Sequence, residues 1–112
     1  MNKGPKYTTG SGNVFHDLGF PDAEELRIKA ELAMEISEVI ESRGLTQVQA
    51  AEVLGVDQPK VSALVRGRLD GFSLERLYRF LNSLGRDIQI TLRDIPKNRG
   101  EAGVSVVREV QR

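Results

Sequence analysis

The stretch at residues 46–67, TQVQAAEVLGVDQPKVSALVRG, predicts two short helices joined by a tight turn. Thr46 is a favourable N-cap for the first helix, and Gln49 stands three residues later, as a capping box requires. Gly55 interrupts the helical pattern at the place where a sharp turn needs a positive φ. Asp57 is positioned to cap the second helix, and a glycine ends the stretch. The fold is therefore expected to be built around a helix-turn-helix unit.

The two predicted helices each turn a set of apolar residues toward the core. The residues expected to face inward are Val48, Ala51, Leu54, Val61, Leu64 and Val65. Ala51 has to be small, because the second helix crosses closely above it. Pro59 is tolerated in the second helix because it lies in the first turn, where no intrahelical donor is lost.

The outer face of the second helix carries residue types that contact DNA. A glutamine binds adenine through two hydrogen bonds, and an apolar or hydroxyl side chain can meet a thymine methyl or a base edge. Three cations follow within nine residues with no acid among them, which suits phosphates. The candidate DNA-contacting residues are Gln58, Pro59, Lys60, Ser62, Ala63, Arg66 and Arg68. The second helix of such a unit enters the major groove. A helical hairpin that packs without binding DNA is the alternative.

Composition limits the chain to one domain with tails, because it has 112 residues, of which 39% are hydrophobic. It contains no cysteine, which excludes disulfides and thiolate metal sites. No apolar run approaches the ~18 residues of a membrane span, and the N-terminus does not resemble a signal peptide. A cytoplasmic protein without membrane contact is therefore expected.

The charges of the chain balance overall, with 16 basic and 16 acidic residues, but they are segregated. Residues 1–43 contain five Lys or Arg and eight Asp or Glu, whereas residues 44–112 contain eleven and eight. A basic face is therefore compatible with a neutral protein. The acidic first third suits a basic partner, although an acidic run is usually a solvated helix face.

Residues 1–21 are expected to form a flexible segment, because glycines and a proline punctuate the first twelve residues. An apolar cluster follows at Val14, Phe15, Leu18 and Phe20. This cluster either folds back on the protein's own core or docks on a partner, and the sequence leaves both open. His16 is the only histidine and has no neighbouring soft ligand, so no metal site is expected.

A long helix is predicted over residues 22–43, with Asp22 as its N-cap and Gly44 just past its end. Its apolar residues follow helical spacing, and its front half, which includes Leu26, is expected to extend beyond the core. Leu26 therefore joins the preceding apolar cluster as a candidate partner-binding residue. A further helix is predicted from a Ser73 cap to about residue 84.

Residues 86–93 change from helical to alternating periodicity, which predicts a half-buried strand. Ile88, Ile90 and Leu92 alternate there with polar residues. An unpaired strand is a liability, so it has to pair either with residues 104–110 of its own tail or with its copy in a second subunit. Pairing between subunits is favoured, because a helix-turn-helix normally binds a two-fold operator as a dimer.

Four segments follow from these boundaries. They are a flexible segment at 1–21, a DNA-binding domain at 22–86, a dimerisation strand at 87–93 and a C-terminal tail at 94–112. No Ser/His/Asp arrangement, phosphate-binding glycine loop or metal-ligand cluster is recognisable. Neither catalytic activity nor a cofactor is therefore expected.

Residues 47–67 closely resemble the Xre (Cro-like) family of helix-turn-helix regulators. The matching residues are Gln47, Ala51, Gly55, Val61, Ser62, Leu64 and Gly67. In phage repressors of that family, glutamines at the positions of Gln47 and Gln58 act together: the first touches phosphate and braces the second on adenine. The resemblance implies the same pair here, which adds Gln47 to the DNA-contacting residues. Pro59 departs from the polar residue that is usual at this position. Its side chain cannot form a direct hydrogen bond to the next base.

The expected fold is thus all-α: a lambda-repressor-like bundle of four to five helices with one short C-terminal β-strand used for dimerisation. The wider order of segments over residues 11–93 resembles small HigA-like antitoxins. The segments concerned are SGNVFHDLGFPDAEEL, the long helix, GVDQPKVSALVRGRLDGFSLERL and GRDIQITL. Such proteins bind a RelE-like ribosome-dependent ribonuclease toxin and repress their own operon.

The resemblance to the antitoxins implies a transcriptional repressor that also neutralises a basic toxin through residues 1–40. A stand-alone Xre-type regulator with no toxin partner is the alternative. A third hypothesis is an interaction module that does not bind DNA, which would make Gln58, Lys60 and Arg66 incidental. A short, basic, toxin-like reading frame beside the gene would favour the first hypothesis over the second.

Overall fold

Four α-helices make up the regular structure of residues 23–109, the part of the chain that the computed structural model describes. They are α1 (Ala23–Ser42), α2 (Gln47–Leu54), α3 (Gln58–Val65) and α4 (Leu74–Ser83). The prediction of an all-helical fold is confirmed, and both ends of α1 lie within one residue of the predicted bounds. Asp22, the predicted cap of α1, lies outside the described residues.

Residues 29–89 form one compact unit, which contains α2, α3, α4 and most of α1. Within this unit α2 packs against both α3 and α4. The largest side chains that are fully removed from solvent are Ile36, Val61, Leu64, Leu77 and Leu84. Each such side chain stabilises the fold by roughly 1.5–3 kcal/mol relative to an exposed one. The helix-turn-helix therefore shares its core with the helices on either side of it.

Phe80 of α4 and Phe72 of the turn before it form a small cluster with Arg76. The rings of Phe72 and Phe80 meet edge to face, with their centroids 6.0 Å apart. The guanidinium carbon of Arg76 lies 5.5 Å from the centroid of Phe72 and 5.6 Å from that of Phe80. These are cation–π distances, so Arg76 stabilises the packing of α4.

The second compact unit comprises, among the described residues, 23–28 and 90–109. Its C-terminal part is held at Val104, whose N–H donates to Glu24 Oε2 at 3.1 Å. The carbonyl of Val104 accepts a hydrogen bond from Arg27 at 2.5 Å. The first turns of α1 thus bind both backbone groups of a single residue near the end of the chain.

The strand predicted at residues 87–93 is absent from the single chain, where residues 86–109 contain neither helix nor strand. A strand exists only through regular hydrogen bonds to a neighbouring strand, and none of residues 23–109 lies in a strand. The alternative pairing with residues 104–110 is likewise not formed as far as residue 109. The side chains of Ile90 and Leu92 are accordingly 73% and 90% exposed. An alternating pattern of apolar and polar residues is therefore insufficient by itself to form a strand.

Two of the inward-facing predictions in the helix-turn-helix are wrong. Val48 is 56% exposed, whereas Ala50 is fully buried. A helix turns by about 100° per residue, so Val48 lies about 160° around the helix from Ala50 and about 120° from Leu54. Val65 is 38% exposed and lines a surface groove together with Met34 of α1. Val48 therefore lies on the exposed side of α2, whereas Val65 lies at the edge of the core.

Candidate nucleic-acid interface

The turn between α2 and α3 is fixed by caps on both sides. At the end of α2, Gly55 has φ +72° and its N–H donates to the carbonyl of Ala51 at 2.8 Å. The N–H of Val56 donates to the same carbonyl at 3.0 Å. Asp57 then caps α3, because its Oδ1 accepts from the backbone N–H of Lys60 at 3.2 Å. The direction in which α3 leaves the turn is thereby set by local hydrogen bonds.

Two side chains of α3, Val61 and Leu64, anchor it to the core, and both are buried. They are three residues apart and so lie on one face of the helix. Ala51 of α2 is also buried, as expected for a small residue under a closely packed helix. The orientation of α3 is therefore determined by its inner face, which leaves the outer face available for a ligand.

The outer face of α3 carries most of the residues predicted to contact DNA. At about 100° per residue, Pro59, Ser62, Ala63 and Arg66 are centred on the side opposite the buried pair. Ser62 and Ala63 are half-buried, whereas Pro59 and Arg66 are exposed. Gln58 is exposed at the first position of the helix. The helix thus presents a continuous surface with an amide at its N-terminal end and a cation at its C-terminal end.

Three exposed cations surround this surface: Lys60, Arg66 and Arg68. In the part of the chain that the structure describes, none of these side chains takes part in an ion pair. The position of Arg68 is fixed by the end of α3, where its N–H donates to the carbonyl of Ala63 at 2.9 Å. Gly67 makes that turn possible with φ +79°. The charges needed for phosphate contacts are therefore not neutralised within the described chain.

Gln47 and Gln58, the pair implied by the family resemblance, occupy the first positions of α2 and α3. Gln47 is half-buried and Gln58 is exposed. Neither side chain forms a hydrogen bond within residues 23–109. Both amides thus keep their donors and acceptors available for another molecule.

Two arginines of α4, Arg76 and Arg79, have partners within the protein. Arg76 lies over the two phenylalanine rings, and Arg79 pairs with Glu75 of the same helix at 3.0 Å. We therefore leave both out of the candidate interface.

The remaining predicted site residues fall into two groups. Val14, Phe15, Leu18 and Phe20 lie outside the described residues, whereas Leu26 is exposed on α1. In the predicted dimerisation segment Ile88 is half-buried, and Ile90 and Leu92 are exposed.

Sequence reasoning missed the contacts of Val104 with Glu24 and Arg27. These residues are about 80 positions apart, and no local signal in the sequence indicates such a contact. Among residues 23–109 there is no group of three or more His, Cys, Asp or Glu that could hold a metal ion. No described helix is long and apolar enough to cross a membrane.

Comparison with known proteins agrees with this geometry. Residues 14–93 match a protein family described as a helix-turn-helix domain. A Mycobacterium tuberculosis protein named "Putative antitoxin HigA2" is 29% identical over 73 residues, which are 64% of this chain and 72% of that protein. A solved structure named "Putative XRE Family Transcriptional Regulator" is 47% identical and superimposes with a TM-score of 0.77. The match covers 80% of this chain and 100% of that one. The chain therefore belongs to the helix-turn-helix family of Xre-type transcriptional regulators.

Proposed function

We propose that this regulator is a sequence-specific repressor that binds a two-fold symmetric operator as a homodimer and also acts as an antitoxin. The observation that carries the DNA-binding part is the outer face of α3, a helix anchored by its inner face. Gln58 lies there with Lys60, Arg66 and Arg68, which form no ion pair within residues 23–109. A helix held in this way can enter a major groove without rearrangement.

Each side chain of the interface has a distinct task in this proposal. Gln58 binds adenine through two hydrogen bonds, while Gln47 contacts a phosphate and braces it. Pro59 and Ala63 meet thymine methyl groups, and Ser62 meets a base edge. The three cations Lys60, Arg66 and Arg68 bind phosphates, which sets the position of α3 on the duplex.

The homodimer forms, in this proposal, through residues 87–93, with Ile88, Ile90 and Leu92 at the contact. Two copies would then place their α3 helices one turn of DNA apart, roughly 34 Å. Support comes from the exposure of the apolar side chains of Ile90 and Leu92, which alternate with polar residues along this segment. Binding of the dimer across a promoter would block transcription.

Selection of DNA from a random-sequence library tests the DNA-binding proposal. The full chain should enrich a palindrome whose half-sites are about 10 base pairs apart, centre to centre. The triple variant Lys60→Ala, Arg66→Ala, Arg68→Ala should enrich nothing, whereas Arg79→Ala, with its arginine outside the interface, should enrich the same site. Selection of a non-palindromic sequence would contradict the symmetric operator, and equal enrichment by the triple variant would contradict the assignment of the interface.

The antitoxin role rests on the similarity to HigA2 and on the acidic balance of residues 1–43. An acidic segment with exposed apolar side chains, such as Leu26, complements the basic surface that an RNA-cleaving toxin needs. We propose that the partner is a RelE-like ribonuclease bound by the apolar cluster Val14, Phe15, Leu18 and Phe20 and by Leu26.

A variant that lacks residues 1–21 tests the antitoxin role, with growth rescue from a toxin encoded beside the gene as the measurement. We expect the variant to bind operator normally and to lose rescue. Unchanged rescue would contradict toxin binding by this segment. The stand-alone regulator is supported instead if the neighbouring genes encode no short basic protein and the full chain binds no co-expressed RelE-like ribonuclease.

A further inference from the structure

In the segment at residues 86–94, RDIQITLRD, each charged residue has a residue of opposite charge at the same distance on the other side of the centre. It begins with Arg86 and Asp87 and ends with Arg93 and Asp94, so that the same basic–acidic pair stands at each end. Ile90 is the middle residue, with four residues on either side. Eight of the nine residues are exposed in the described chain. Such a pattern is what a strand needs in order to pair with an antiparallel copy of itself.

We propose that two copies of the chain pair antiparallel through this segment in a single register, with Ile90 opposite the Ile90 of the second copy. The proposal rests on the homodimer proposed above and adds its register and its specificity. Asp87 then lies opposite Arg93, and Arg86 lies opposite Asp94. Each of these pairs occurs twice, because the two-fold axis passes between the two Ile90 residues. The two pairs between Arg86 and Asp94 lie on the same face as Ile88, Ile90 and Leu92, and the two pairs between Asp87 and Arg93 lie on the opposite face.

The neighbouring registers are disfavoured by charge. A slip of one residue in one direction places Arg86 opposite Arg93, and a slip in the other places Asp87 opposite Asp94. Like charges directly opposite each other on paired strands are destabilising. A one-residue slip also places the apolar side chains opposite polar residues of the other face. A slip of two residues restores apolar pairs but leaves Asp87 and Arg93 opposite uncharged residues.

A second copy fits this segment better than an unrelated strand because the segment is complementary to itself. The side chains of Asp87, Arg93 and Asp94 take part in no ion pair within residues 23–109. Arg86 lies 3.5 Å from Glu35, so the outer pair has a competitor within the chain. The inner pair between Asp87 and Arg93 therefore contributes most of the selectivity, and it is the pair to test.

Cysteine cross-linking tests the register directly, because the natural chain has no cysteine. Opposite residues of an antiparallel pair have Cα atoms about 4.5 or 5.5 Å apart, which a disulfide can bridge. Ile90→Cys should therefore form a covalent dimer under mild oxidation. Ile88→Cys alone should not, since residue 88 would lie about 14 Å along the strand from its own copy. Mixing Ile88→Cys with Leu92→Cys should give a covalent dimer that contains one chain of each.

Charge reversal tests the specificity with two single substitutions. In Asp87→Arg the inner pairs become Arg–Arg, and in Arg93→Asp they become Asp–Asp. Each variant alone should have a dimer dissociation constant at least about tenfold higher than that of the wild type. An equimolar mixture should form a mixed dimer with near wild-type affinity, because each inner pair of that dimer again joins an arginine and an aspartate. Asp70→Arg and Lys97→Asp, which change charge outside the segment, should leave dimerisation unchanged.

The outcomes separate the register from the homodimer itself. Sedimentation that shows a monomer for the wild type at micromolar concentration would contradict the homodimer and with it the register. A wild-type dimer that persists in Ile90→Pro would contradict pairing through this segment. If Ile90→Pro is monomeric while Ile90→Cys remains a non-covalent dimer that cannot be cross-linked, the strands pair in another register. Failure of the charge-reversed mixture to dimerise would overturn the pairing of Asp87 with Arg93.

Discussion

Thr46 and Gln49 hold each other through two hydrogen bonds at the start of α2. The N–H of Gln49 donates to Thr46 Oγ1 at 3.0 Å, and the N–H of Thr46 donates to Gln49 Oε1 at 2.9 Å. We expect Thr46→Ala to lower the free energy of unfolding by about 1 kcal/mol, because the cap of α2 loses its acceptor. Denaturant unfolding measures this. Thr46→Ser keeps the hydroxyl and should remain close to the wild type; an equal loss in both variants would show that the hydroxyl is not the cause.

Gly55 is expected to tolerate no other residue without cost, although there is space around it. A Cβ built there meets no atom within 4 Å, so only the backbone conformation, at φ +72°, opposes a side chain. Gly55→Ala should lower the free energy of unfolding by about 1–2 kcal/mol. Gly71 provides the matched control, since a Cβ there also meets nothing but its φ is not positive. Similar losses in thermal unfolding for both alanine variants would contradict this explanation.

The proposed roles of Gln58 and Arg66 predict different kinds of binding defect. Gln58→Ala should cost about 1–3 kcal/mol per half-site and relax the preference at one base pair. Arg66→Ala should weaken binding to all sequences alike and reduce the slope of log K against log salt by about 0.9 for each phosphate that the protein no longer neutralises. Fluorescence anisotropy with operator and scrambled duplexes at several salt concentrations distinguishes the two. The same sequence-independent loss in both variants would refute the division of roles.

The hydrogen bonds of Val104 predict slow exchange of one backbone amide. Its N–H donates to Glu24 Oε2 within a chain segment that has no regular secondary structure. Glu24→Ala should therefore accelerate hydrogen exchange at Val104, because the amide loses its acceptor. Glu25→Ala removes a neighbouring acid of the same helical turn and should leave that amide unchanged. Fast exchange at Val104 in the wild type would show that the contact is not kept in solution.

The local hydrogen-bonding signals of the helix-turn-helix are sufficient to predict its architecture. Thr46, Asp57 and Ser73 cap the helices that the sequence assigns to them, and each does so through a bond to the third residue of its helix. Caps act over three residues, so their chemistry is visible in the sequence itself. The candidate interface benefits in the same way, since helical spacing alone separates the outer residues of α3 from Val61 and Leu64.

The errors arise where the outcome depends on residues far away in the chain. Val48 and Val65 are apolar and are predicted to face inward, but their burial depends on which side of each helix the neighbouring helices cover, and that is determined by residues elsewhere in the chain. The same holds for the segment at residues 86–93, whose periodicity is that of a strand. A strand needs a second strand, and the segment alone does not indicate whether another part of the same chain lies beside it.

The separation of α3 into an anchoring face and an exposed face has a consequence for how such a regulator can change its target. Val61 and Leu64 hold the helix, whereas Gln58, Pro59 and Arg66 are exposed and contribute little to folding. Substitutions at the exposed positions are therefore expected to have small effects on stability. New operator preferences can then arise by mutation without an intermediate that fails to fold. In the laboratory, the exposed residues of a relative's helix could be exchanged into α3 to transfer that relative's operator preference.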